Sequence, residues 1–155
     1  MDGRRNLALF GTILPIPDCG GVSASILIVE DEFLVALEVQ SILEESGYQV
    51  LGIAADLEGA ISLADQTIDL AIVDLNLRDG LTGPEIGKRL ANEHNAAVLF
   101  MTANPRLLGD GIAGTIGVLS KPTDEHTLLS ATEFALRRRH EADLAPPPAL
   151  KCFSA

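Results

Sequence analysis

Four short apolar runs in this chain each stop at a residue able to do chemistry. Ile26-Leu27-Ile28-Val29 meets Glu30-Asp31-Glu32, Ala71-Ile72-Val73 meets Asp74, Ala97 through Met101 meets Thr102, and Ile116 through Ser120 meets Lys121-Pro122. Such runs read as strands buried on both faces. In an open parallel α/β sheet their C-terminal ends share one edge, where these sheets hold their sites. Gathered there, Glu30, Asp31 and Asp74 crowd like charges, which is costly unless protons or a cation compensate. Carboxylate oxygens in a shallow, wet pocket suit Mg2+, which keeps several waters and takes few protein ligands. With that cation present, Asp74 is a candidate nucleophile toward phosphorus, the Lys121 ammonium neutralises equatorial oxygens, and Thr102 hydrogen-bonds one of them. Taken singly, each residue reads as an ordinary loop end or helix cap; the joint placement carries the chemistry.

The elements that must position these residues alternate. Strands are predicted over 26–29, 48–54, 68–74, 96–102 and 115–120. Between them, 33–46 reads as a helix with Val35, Val39, Ile42 and Leu43 on one stripe and Leu34 and Leu37 on a second. Asp56 is placed to cap a helix whose Leu57, Ala60, Ile61 and Ala64 follow i, i+3, i+4, i+7 spacing. Pro84 suits the first position of a helix running to about His94, and Thr123 is the expected cap of a last helix to about His140. Pro105, Gly109, Gly111 and Gly114 leave 104–115 irregular. Short connections imply right-handed crossovers, hence a doubly wound, five-stranded parallel sheet with helices on both faces. Residues 1–23 read as an N-terminal extension, 24–140 as the single domain, and 141–155, broken by Pro146-Pro147-Pro148, as a flexible tail.

A chain of 155 residues with 47% hydrophobic content can bury a full core. Its net charge of −11 argues against a nucleic-acid binder. The one basic run, Arg137-Arg138-Arg139, falls where cations complement a helix C-terminus. Ala96 to Met101 is the longest apolar run, far short of the ~18 residues that span a bilayer, so no membrane insertion is expected. Cys19 and Cys152 lie outside the patterned region without metal-like spacing, and the expectation is a reducing compartment and a cytoplasmic protein.

The constellation resembles the receiver domain of bacterial two-component response regulators over about residues 24–140. The resemblance implies a flavodoxin-like receiver fold and assigns the acidic pair to Glu30 and Asp31, the phospho-acceptor to Asp74, the switch hydroxyl to Thr102 and the family lysine to Lys121. Asn76 matches the position whose main-chain carbonyl completes the Mg2+ site, and the Lys121-Pro122 bond is expected to be cis. It further implies a histidine kinase or histidine phosphotransfer protein as donor, a downstream protein target, and no catalysis beyond the domain's own phosphorylation and dephosphorylation. Three departures stand out. Val118 replaces the usual Tyr or Phe three residues before the lysine, which puts the threonine–aromatic coupling in question. Arg78 replaces a proline, and the stretch from Thr102 to Lys121 is short, so the fourth helix is expected to be short or irregular, as in variant receivers resembling those of alphaproteobacteria. The expectation is a stand-alone receiver. The alternatives are an aspartyl-nucleophile phosphatase of the haloacid dehalogenase type, which expects Asp-x-Asp on its first strand where Glu30-Asp31-Glu32 stands, and an unphosphorylated pseudo-receiver binding module.

Overall fold

The structure, a computed structural model, describes residues 23–153; the N-terminal extension and Cys19 fall outside that range, apart from Ser23. The elements run β1 (Ser25–Val29), α1 (Phe33–Glu45), β2 (Gln49–Ala54), α2 (Leu57–Leu63), β3 (Leu70–Val73), α3 (Gly83–Glu93), β4 (Ala97–Thr102), a 3-10 turn (Pro105–Leu108), β5 (Gly117–Ser120), α4 (Glu125–Arg138) and β6 (Lys151–Cys152). The strands form one sheet in the order β2-β1-β3-β4-β5-β6, parallel except for β6.

Alternation along the strands divides the core. Leu27, Val29, Ala71, Val73, Val98 and Phe100 face α2 and α3, while Ile26, Ile28, Ile72, Leu99, Met101 and Leu119 face α1 and α4. Because every central strand is covered on both sides, no polar face is needed, and β3 and β4 are buried throughout. In α1 the inward stripe is Ala36, Val39 and Leu43, whereas Phe33, Leu34 and Leu37 are exposed; the second apolar stripe therefore points to solvent. Asp56 caps α2 as expected, accepting from Gly59 N. The cap of the last helix is corrected from Thr123 to Asp124, whose carboxylate accepts from Thr127 N at 2.7 Å, while Thr123 donates to Ser120 O. The arginine run is occupied internally, with Arg137 pairing Glu133 and Glu141, Arg138 over the Phe134 ring and Arg139 donating to the Asp69 and Asn95 carbonyls.

At the sheet's far edge the irregular 104–115 stretch is found as expected, while two expectations change, the flexible tail and the strand count. The 104–115 segment holds only the 3-10 turn, so no helix covers the end of β4 and β5 on the α2/α3 side. The segment expected as a flexible tail covers it instead, which makes the sheet six-stranded rather than five-stranded and purely parallel. Lys151 and Cys152 pair antiparallel with Val118 and Gly117. Leu150 enters the core on the α1/α4 side, and Phe153 enters the opposite core against Phe100, with ring centroids 6.3 Å apart. The physical reason is apolar surface: an absent helix leaves Phe100 and Val118 to be covered, and burying an aromatic ring there is favourable.

Candidate phospho-acceptor site

The strand ends place the predicted residues at one sheet edge. Asp74 follows β3, anchored by its own amide donating to Val29 O, and its Oδ1 accepts from Leu75 N at 2.6 Å. Glu30 follows β1 and is buried at 3% exposure, with its Oε2 accepting from Glu32 N. Asp31 is exposed beside it, and Glu30, Asp31 and Asp74 each present an oxygen within 4.8 Å of the others. From the end of β5 the Lys121 ammonium bridges Glu30 Oε1 at 2.6 Å and Asp74 Oδ2 at 2.9 Å, with the Glu32 carboxylate at 3.8 Å. The Lys121-Pro122 bond is cis. Thr102, 1% exposed at the end of β4, pairs in register with Ser120, and its Oγ1 accepts from Asn104 N at 3.1 Å. Asn76 is exposed on the β3–α3 loop.

The family described as response regulator receiver domain matches residues 26–133, the span that holds all six predicted site residues. The chain belongs to that family. Among its relatives, the transcriptional regulatory protein PdtaR of Mycobacterium tuberculosis is 32% identical over 126 residues, 77% of this chain and 60% of PdtaR. The phyllosphere-induced regulator PhyR of Methylorubrum extorquens is 31% identical over 86 residues, 54% of this chain and 32% of PhyR. The receiver thus spans less than two thirds of either relative. The solution structure of the Erythrobacter litoralis PhyR receiver domain superposes with a TM-score of 0.67 at 28% identity, covering 74% of this chain and 90% of that one. The receiver domain of a modulated diguanylate cyclase from Desulfovibrio desulfuricans does so with a TM-score of 0.64 at 31% identity, covering 79% and 100%. The haloacid dehalogenase alternative finds no support in these relationships.

Electrostatics at the receiver's acidic site follow from burial. Desolvation raises the Glu30 carboxyl above its ordinary value, offset in part by the Lys121 hydrogen bond. Burial alone would lower the Lys121 ammonium, but its bonds to Glu30 and Asp74 outweigh this and hold it above its ordinary value. Lys121 therefore stays protonated and acts as the cation that lets the carboxylates coexist. The donor set also fits a hard divalent ion, since three carboxylates each place an oxygen within 4.8 Å of the others and only one of them is deeply buried.

Two features of the site were not read from sequence. Gly83, at the start of α3, passes so close beneath the site that a Cβ there would lie 2.1 Å from Asp74 O and 2.5 Å from Leu75 Cα; a loop glycine beside a proline gives no sign of that approach. Arg78, where the family usually carries proline, pairs with Asp56, and the next residue, Asp79, accepts from Leu57 N at 3.0 Å. Together they tie the β3–α3 loop to the start of α2. The charge pattern Asp56, Arg78, Asp79 is visible in the sequence, but pairing across two loops is not.

Proposed function

We propose that this receiver accepts a phosphoryl group on Asp74 from a phosphohistidine of a kinase or phosphotransfer protein and signals by phosphorylation-dependent protein contact, with no enzymatic activity beyond forming and losing that group. The observation that carries the reading is the Lys121 ammonium held 2.6 Å and 2.9 Å from two carboxylates beside a third. That arrangement compensates anionic charge at one strand edge. In the transfer, an Asp74 carboxylate oxygen forms a bond to phosphorus as the phosphorus–nitrogen bond breaks, and the imidazole leaves as a neutral ring once protonated. Lys121 exchanges a carboxylate contact for an oxygen of the incoming group. Thr102 accepts from Asn104 N and its hydroxyl hydrogen is uncommitted, so turning the hydroxyl to donate to another such oxygen exchanges the Asn104 contact for that bond. Glu30, Asp31, Asp74 and the main-chain carbonyl of Asn76 would hold Mg2+, which when bound offsets negative charge on the phosphoryl oxygens.

A donor protein has an apolar surface available beside this edge. Phe33, Leu34 and Leu37 are exposed on α1, and a groove of about 350 Å³ between α1 and the β5–α4 loop is lined by Val35, Val39, Met101, Lys121 and Pro122. Three exposed large apolar side chains on one helix support protein docking. Among the described residues no helix is long and apolar enough to cross a membrane. The deciding experiment is intact mass with a small phosphodonor, with and without Mg2+, on the wild type and Asp74→Asn. One added phosphoryl mass that requires both Mg2+ and Asp74 is expected. Equal addition to Asp74→Asn refutes Asp74 as the acceptor and moves the group to another residue, while no addition to the wild type refutes phosphorylation and favours a binding module whose pocket is vestigial.

A further inference from the structure

The C-terminal segment is held in a way that suits release. Its strand pairs only two residues with β5, and beyond them one backbone bond, Phe153 N to Ile116 O at 3.0 Å, completes the ladder. Pro146, Pro147 and Pro148, which carry no backbone donor, separate it from the body of the domain. Its hold on the domain therefore rests mainly on two side chains, Leu150 at 5% exposure and Phe153 at 7%.

The slot that takes Phe153 is built by the segment that leaves the site. Phe100 lies two residues before Thr102 on β4 and forms one wall. Gly111 forms another: its φ is +116°, and a Cβ there would meet Phe153 Cγ at 2.4 Å, so the ring rests directly on backbone. Gly111 belongs to the connection that begins immediately after Thr102, and Asn104 N, near the start of that connection, is bonded to the Thr102 hydroxyl. On the other strand, Lys121 N donates to Thr102 O, and Val118, three residues earlier, pairs with Lys151. If the Thr102 hydroxyl turns toward a phosphoryl oxygen, the Asn104 amide loses its acceptor, and the connection carrying the Gly111 wall is free to shift. Val118 supplies no aromatic ring to move in this receiver, so the ring that responds is Phe153.

We propose that residues 149–153 form a strap, closed over the β5 edge in the unphosphorylated receiver and released when Asp74 carries a phosphoryl group. Release uncovers a row of unpaired backbone groups on β5 beside the apolar Phe100 slot, an edge fitted to accept an extended strand. The inference rests on Asp74 being the acceptor, and its test separates the two claims.

Cys152 lies on the strap, is half-buried and is a free thiol, so its alkylation reports opening. With Cys19→Ser in the full chain, the rate of Cys152 alkylation by iodoacetamide is followed by intact mass, with and without acetyl phosphate and Mg2+; the same spectra report phosphoryl addition. The expected result is a rise on the order of tenfold in the phosphorylated population, none in Asp74→Asn, and a comparable rise in Phe153→Ala without the phosphodonor. Phosphoryl addition with an unchanged Cys152 rate overturns the strap and leaves the acceptor intact. No phosphoryl addition to the wild type overturns both. A Cys152 rate that already matches an unfolded peptide without phosphodonor, or one that Phe153→Ala leaves unchanged, also overturns the strap. The wild-type arms need no destabilised variant, so the outcome does not depend on how well Phe153→Ala folds.

Discussion

Replacing Lys121 by alanine removes the one ammonium shared by Glu30 and Asp74. Breaking a buried ion pair from one side costs about 3–5 kcal/mol, because a charge is left without compensation. Lys121 and Asp74 side chains keep 17% and 12% exposure, so water reaches part of the site and the expected cost falls to about 2–3 kcal/mol, or about 6–10 °C in melting temperature. The loss depends on pH with a definite sign. Desolvation already raises Glu30, and without Lys121 the opposing contribution is gone, so its folded pKa rises further. A carboxyl raised on folding favours the folded state below its unfolded value and loses that contribution as pH rises through its folded value. The deficit of Lys121→Ala relative to wild type should therefore be largest at about pH 8 and shrink toward about pH 5. In the wild type, Lys121 is itself raised, so its contribution is complete below its ordinary value and lost in alkali above it. Thermal melts of both proteins across that range in a chelator, then with Mg2+, check the argument. Mg2+ should raise the melting temperature more in the variant, whose carboxylates no longer have a competing cation. A pH-independent deficit, or equal Mg2+ shifts, would show that Lys121 is not the compensating charge.

Three further outcomes follow from the geometry. Asp31→Asn should weaken Mg2+ binding in a titration far more than Glu32→Gln, because Asp31 belongs to the carboxylate cluster while Glu32 is 68% exposed and only 3.8 Å from Lys121. Gly83→Ala should cost about 2–3 kcal/mol in urea unfolding and slow phosphoryl addition, since relieving a 2.1 Å approach to Asp74 O means moving the acceptor's own backbone; a neutral substitution would show the α3 start to be yielding. Deleting residues 149–155 should lower the melting temperature by about 10 °C through loss of the Leu150 and Phe153 anchors, and a change within about 2 °C would mean the strap adds no stability.

The strand ends were legible because a buried parallel strand must be apolar along its length and must stop where polarity begins; Glu30, Asp74, Thr102 and Lys121 mark those stops. The Asp56 cap was legible for a similar reason, as a local hydrogen bond between residues three apart. What the sequence hid is non-local. Leu150 and Phe153 bracket two residues after a proline run, too few for any periodicity, and their burial depends on a helix being absent some forty residues earlier. Thr123 and Asp124 both qualify as caps by type; the choice went to Asp124 because Thr123 is spent on the Ser120 carbonyl. The exposed Phe33 and Leu34 likewise look like core residues until the helix's orientation over the sheet is known.

The strap and the acceptor site are linked by an energetic condition that each measurement bounds for the other. A phosphoryl group adds about −1.5 to −2 charges at the site, and couplings between sites within one domain run to about 1–3 kcal/mol. If the strap is held by about 3 kcal/mol, no more than truncating one buried Leu or Phe typically costs, such a coupling raises its open population on the order of tenfold without driving it fully open, which would take about 5.5 kcal/mol from a 99:1 start. A partner strand on the uncovered β5 edge supplies the remainder, so target binding and strap release reinforce one another. The same reasoning sets an upper limit. If deletion of residues 149–155 cost as much as about 6 kcal/mol, phosphorylation could not open the strap to a useful extent, and the segment would be a permanent replacement for the missing helix. The small ladder, the three prolines before it and the half-buried Cys152 place the strap on the releasable side of that limit.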